Sequence, residues 1–169
     1  IMRQTVIFLL SSFIAKGVIT IIVLGGILLL FYGTPKSDIP NLDETNTLAG
    51  IDSNDNGIRD DIDRYIKETY FLPEQQNAVS QYARNLQSSL LIDKTDREAL
   101  RLNRIGAARA ISCVFDKIPS ENTRINGSII QDIIAATINT KLRKTEFKKL
   151  NQALDGTSTS LEAEDFCDG

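Results

Sequence analysis

The chain has 169 residues, of which 42% are hydrophobic and 24% charged, with a formal net charge of -3. That leaves room for one compact domain beside an apolar N-terminus, and so mild a charge selects no particular partner. Histidine is absent, which excludes Ser-His-Asp, Cys-His and His-metal chemistry by composition. Tryptophan is absent too, so an aromatic sugar platform would fall to tyrosine or phenylalanine.

Residues 6–32 are apolar almost throughout, interrupted by Ser11, Ser12 and Lys16. The uninterrupted part, residues 17–32, falls slightly short of the roughly 20 residues a spanning helix needs. A tilted helix that uses the whole stretch can still cross, with Lys16 reaching toward the headgroups. Arg3 and Lys16 precede the run, and Asp38, Asp43 and Glu44 follow it. That asymmetry puts the N-terminus in the cytoplasm and the rest outside. A cleaved signal peptide is the second reading, although Phe31-Tyr32-Gly33-Thr34-Pro35 offers a poor set of small residues for a cut. Residues 1–33 are thus expected to be a signal-anchor or a signal peptide, and the membrane is a partner through this helix. Under either reading residues 34–169 are extracytoplasmic, in the periplasm or at the cell surface if the source is bacterial. Residues 34–50 contain Pro35 and Pro40, show no helical or strand period, and read as a linker.

A third domain, residues 51–169, opens on Ile51-Asp52-Ser53-Asn54-Asp55-Asn56-Gly57-Ile58-Arg59-Asp60-Asp61-Ile62-Asp63. With Asp52 as position one, side-chain oxygens fall at positions one, three and five, as Asp52, Asn54 and Asn56. Gly57 stands at position six, Asp60 at nine and Asp63 at twelve. Calcium takes about six to eight oxygen ligands, and alternate residues of a tight curl can aim at one centre. Glycine at position six permits the turn because it tolerates positive φ. The same residues could also form a plain Asx-rich turn capping a helix. A cap alone, however, does not require six positions in register, and the clustered carboxylates repel one another without a counter-ion.

The spacing resembles EF-hand-type loops, and in detail the thrombospondin type 3 and dockerin variants. The resemblance covers residues 52–66 or so. It implies Ca2+ as the ion, with Asp52, Asn54, Asn56, the Ile58 carbonyl, Asp60 and Asp63 as ligands. Three features depart from the EF-hand pattern. Position twelve is Asp rather than a bidentate Glu, Arg59 fills position eight where paired hands place an apolar residue, and no second loop is present. The helix-opening switch of paired hands is therefore not carried over.

Behind the loop the sequence reads as all-α. Ile62, Tyr65, Ile66 and Tyr70 recur at helical spacing and predict a short helix ended by Leu72-Pro73. Val79, Tyr82, Ala83, Leu86 and Leu90 mark a second helix. Thr95-Asp96-Arg97-Glu98 is a capping-box pattern opening a third, with Ala99, Leu102, Gly106, Ala110, Cys113 and Val114 on one face and Pro119 at its end. Ile129, Ile130, Ile133, Ile134, Ile138 and Leu142 predict a fourth, which could continue to Leu154. The expected body is a bundle of about four helices. Cys113 and Cys167 are the only cysteines, and in an exported chain they are expected to pair.

The basic residues Lys141, Arg143, Lys144, Lys148 and Lys149 read as a solvated helix face, as do Arg97, Arg101, Arg104 and Arg109, and nucleic acid is not an expected partner. The expected role is structural or protein-binding in the cell envelope, non-enzymatic, with an envelope protein or a surface polymer as partner. The alternative is an envelope-acting hydrolase with a carboxylate general acid, drawing on Glu68, Glu74 or Glu98, although no sequence feature pairs them.

Overall fold

The computed structural model describes residues 39–118, 123–158 and 166–168, with side chains in the fourth helix described from Ser128 onward. The expected membrane segment and residues 34–38 of the expected linker lie outside the described residues. Among the described residues no helix is long and apolar enough to cross a membrane.

Five helices and no strand make up the described chain. They are α1 (Asp60–Thr69), α2 (Pro73–Leu91), α3 (Arg97–Lys117), α4 (Thr123–Thr137) and α5 (Lys141–Leu154). Helix α1 carries Asp60, Asp61 and Asp63 in its first turn and Lys67 in its last, the charge order that complements the helix dipole. Its buried residues Ile62 and Ile66 continue a stripe from Ile58 to Tyr70. Helix α2 starts on Pro73, where the missing N–H costs nothing. It turns Ala78, Val79, Tyr82, Ala83 and Leu86 inward. These residues meet Ala110, Cys113 and Val114 of α3, and Ile129, Ile130, Ile133 and Ala136 of α4, in one core.

The start of α3 differs in detail from the expectation. Its N-cap is Asp96 rather than Thr95, and the Asp96 carboxylate accepts from the amides of Glu98 and Ala99, each at 3.0 Å. Leu102 is exposed and Leu100 is buried in its place. Gly106 does bring a neighbour close: a Cβ there would stand 2.6 Å from Asn85 Nδ2 on α2.

The expected fourth helix is two helices. Residues 138–140 break it, and Thr140 caps α5 by accepting from the Arg143 amide at 3.3 Å. The last carbonyls of α4 are taken from outside the helix, those of Ala136 and Thr137 accepting from the Arg59 side chain. A continuous helix would direct those carbonyls to its own next turn. Leu142, expected in the core, is exposed at the start of α5.

Residues 39–50, read from sequence as linker, pack on the body. Ile39 is buried in the core and Leu42 lies against it. The Gln87 amide of α2 donates to the carbonyls of Leu48 and Ala49. Asn41 adopts φ 54°, a left-handed conformation that asparagine accepts at modest cost.

Cys113 and Cys167 form the expected disulfide, 54 residues apart in sequence. Chain-entropy reasoning values such a closure at about 4 kcal/mol relative to the open unfolded chain. Gln81 on α2 holds the same segment by its main chain. Its Nε2 donates to the Phe166 carbonyl and its Oε1 accepts from the Asp168 amide, both at 3.0 Å.

Candidate metal centre

The loop between residues 51 and 60 closes on itself through main chain and side chain. The Asp60 amide donates to the Ile51 carbonyl at 2.8 Å, which joins the loop's two ends. Asp52 accepts from the amides of Asn56 (3.2 Å) and Gly57 (2.8 Å). Asn54 Oδ1 accepts from the Asn56 amide at 3.2 Å, and Asn56 Oδ1 from the Ile58 amide at 2.8 Å. Positions one, three and five thus fold back along the curl. Asp55 and Gly57 supply the left-handed turns, with φ of 54° and 80°. A side chain at Gly57 would also meet Arg84, whose Cγ lies 3.1 Å from the place of a Cβ and whose Nε donates to the Asn56 carbonyl.

The two later acidic positions face partners of their own. Asp60 accepts from the Ser53 amide (2.9 Å) and hydroxyl (2.6 Å). Those hydrogen bonds hold its carboxyl below the usual carboxylate range. Asp63 is buried and lies 2.6 Å from the Lys67 ammonium, whose side chain is largely exposed. Ile58, the expected carbonyl donor, has its side chain fully buried beneath the loop.

Every expected ligand offers oxygen, a hard donor set that suits calcium and suits zinc or copper poorly. Among the described residues no three Asp, Glu or Cys side chains gather at metal-binding spacing. In this arrangement, then, at most two carboxylates meet at one point, and Asn54, Asn56 and a main-chain carbonyl would make up the rest of a shell. The structure does not bring the six expected ligands to one point: Asp52, Asn54 and Asn56 face loop amides, Asp60 bonds Ser53 and Asp63 pairs with Lys67.

The residues between the expected ligands do something else. Arg59, at position eight, is completely buried. Its Nε and Nη2 donate to Asp61 at 2.9 and 2.6 Å, a bidentate pair. Its remaining donors reach the Ala136 carbonyl (3.1 Å), the Thr137 carbonyl (3.2 Å) and Asn139 Oδ1 (3.4 Å). Asp61 Oδ2 also accepts from the Asp43 amide at 2.8 Å. Burial pushes the Asp61 carboxyl up, but the hydrogen bonds from Arg59 and the Asp43 amide outweigh it and leave it below the usual range.

Asp43 extends the network. Its carboxylate accepts from the Thr45 amide and, at 2.8 Å, from the Ile51 amide just ahead of the loop. Its carbonyl accepts from Arg143 Nη1 at 2.6 Å and from Asn139 Nδ2 at 2.9 Å. Partial burial raises the Asp43 carboxyl, while bonds from Thr45 and Ile51 and the Arg143 charge lower it further, so it too stays in its charged form. Arg143 corrects the expectation of a solvated basic face: it is completely buried, whereas Lys141, Lys144, Lys148 and Lys149 are exposed. Periodicity missed Arg143 because a cation on a polar helix face ordinarily faces water. The one available signal for Arg59 was its position as the lone cation in an acidic stretch.

Glu68, Glu74 and Glu98 are exposed on three different helices, and Glu98 is paired with Arg101. Comparison with protein-family models, curated proteins and solved structures gave no match.

Proposed function

We propose that residues 52–63 bind calcium and act as a clasp, fixing residues 39–50 to a disulfide-closed helical body in a chain anchored in or exported across a membrane. The observation that carries the reading is the curl itself. Asp52, Asn54 and Asn56 fold back onto the loop's own amides, Gly57 takes the left-handed turn, and every expected donor is oxygen. Bonds to loop amides leave each carboxylate or carboxamide oxygen a second lone pair with which to meet a cation. Three bonds would have to be exchanged for the full set to engage: those of Asp60 with the Ser53 amide and hydroxyl, and that of Asp63 with Lys67. The Asp63–Lys67 pair has its lysine end in solvent, which screens it to a contribution on the order of 1 kcal/mol. With few carboxylates at one point, the affinity belongs in the micromolar-to-millimolar range on the order of extracellular modules.

The Cys113–Cys167 bond supports the extracytoplasmic half of the reading, because disulfides persist in oxidising compartments. The role is structural, presenting the helical body to an envelope protein or surface polymer.

The test is a thermal melt of the full chain with calcium, with magnesium and with chelator. Calcium at about a hundred times its Kd should add about 2.7 kcal/mol and raise Tm by several degrees. Magnesium should do much less, since it demands a tighter octahedral shell. A midpoint that calcium does not raise, or a rise that survives Asp52→Ala with Asp63→Ala, overturns the calcium reading.

A further inference from the structure

Helix α5 presents cations that the rest of the body does not neutralise. Lys141, Lys144 and Lys148 are exposed and recur at one-turn spacing, so they form one stripe. None of the three enters an ion pair among the described residues, whereas Lys67, Lys94, Arg101, Lys117 and Lys149 all do. The one acid within α5, Glu146, is already shared by Lys94 and Lys149. Asp155 stands at the C-cap, two turns beyond Lys148. In a chain of net charge -3 the stripe is a local reversal of sign.

We propose that this face of α5 docks on an anionic lipid surface, the headgroups of the membrane that holds the chain. The inference rests on the anchored form of the reading above and adds a second membrane contact to it. Chain length selects the membrane over a soluble acidic partner. Six residues lead from Gly33, at the end of the apolar run, to Ile39, which is buried in the body. Fully extended, they reach about 20 Å. The chain then passes beside the first turn of α5, where the Asp43 carbonyl accepts from Asn139 Nδ2 at 2.9 Å and from Arg143 Nη1 at 2.6 Å. Buried Arg143 thus fixes the entering chain to the same turn that exposes Lys141 and Lys144. Leu142, 38% exposed, adds an apolar side chain beside them, the mixture that suits a headgroup boundary.

Magnitudes require the contact to be a tethered one. Clusters that recognise anionic lipid unaided carry about four to eight cations, so three lysines on a free protein would hold a membrane weakly. A short tether makes the encounter intramolecular, at an effective concentration in the millimolar range. The attraction acts within a Debye length, about 10 Å at 0.1 M salt, and the tether is short enough to keep α5 returning to that layer. The stripe therefore sets which side of the body lies against the membrane, and leaves the other helices free for a partner.

The test is lysine acylation by a membrane-impermeant reagent, read by mass spectrometry, on the full chain in vesicles of phosphatidylcholine alone or with phosphatidylglycerol. On the anionic vesicles Lys141, Lys144 and Lys148 are expected to react about fivefold or more slowly, while Lys67 on α1 keeps its rate. The difference should vanish in about 1 M salt, where the Debye length is about 3 Å. Lys144→Gln with Lys148→Gln, both at exposed positions, should leave Tm unchanged and restore the Lys141 rate. Equal rates on the two vesicles, or slowing that survives salt, overturn the docking and leave the anchored reading intact. Slowing by soluble polyaspartate but not by anionic vesicles overturns it in favour of an acidic polymer. A chain that floats with neither vesicle overturns the anchor and the docking together.

Discussion

Arg59 serves four residues at once: Asp61, Ala136, Thr137 and Asn139. Removing it strands more than a salt bridge, since the buried Asp61 carboxylate loses its counter-charge and two helix-terminal carbonyls lose their donor. Arg59→Leu should therefore destabilise the fold by about 3–5 kcal/mol in urea unfolding. Replacing both partners, as Arg59→Met with Asp61→Leu, should cost markedly less, because no buried charge is then left alone. Equal losses in the single and double variants would mean that the carbonyl bonds, rather than the charge pair, carry the effect. The alternation of Asp, Asn and Gly at residues 52–57 was legible in the sequence because it is a local pattern. The burial of Arg59 was not, since three of its partners, Ala136, Thr137 and Asn139, lie 77 to 80 residues away.

At the scale of elements, Gly50 shows how the segment before the loop is seated. It adopts φ +73°, and a Cβ there would stand 2.3 Å from Arg59 Cδ and 2.7 Å from Asp43 Oδ2. Gly156 has almost the same φ, +71°, with nothing within 4 Å. Gly156→Ala should incur the backbone strain alone, about 1 kcal/mol, whereas Gly50→Ala should add an overpacking cost of about 1–3 kcal/mol. Matched denaturation midpoints for the two variants would show that Arg59 is not wedged under the chain. The apolar spacing of α1 and α2 predicted their inward faces well, because one stripe of Ile, Val, Leu and Tyr decides the packing. The boundary between α4 and α5 had no such marker. Ile130, Ile134 and Ile138 keep helical spacing straight across it, and the break follows from Thr140 capping α5 and from a guanidinium arriving from another element.

For the whole molecule, the buried carboxylates fix how stability responds to acid. Asp43 and Asp61 both sit below their ordinary value of 3.8 when folded. Each therefore binds a proton less readily in the native state than in the unfolded chain. The unfolded state takes up more protons as pH falls through and below that value, so stability rises with pH there. Their contribution is complete above about pH 5 and is lost as pH drops toward their folded values. Tm should be level between about pH 5 and 8 and should fall steeply below about pH 4. Asp43→Asn should make that fall shallower while lowering the plateau. A slope unchanged by the substitution would assign the acid sensitivity to other groups. Only part of this architecture could be read from the chain alone: an all-helical body and one cysteine pair follow from periodicity and composition, while a core of two arginines and two aspartates follows only from tertiary contact.

The pairing of Gln81 with both Phe166 and Asp168 bears on the chemistry of the cysteine between them. Because these two bonds and the packing of Phe166 hold the segment independently of sulfur, reduction need not send Cys167 away from Cys113. The two thiols would remain neighbours, at an effective concentration far above that of any external thiol. Attack by a small reductant would then tend to be reversed by the displaced thiol before a second reductant arrives. The cross-link behaves less like a fastening that opens once than like one that recloses by itself.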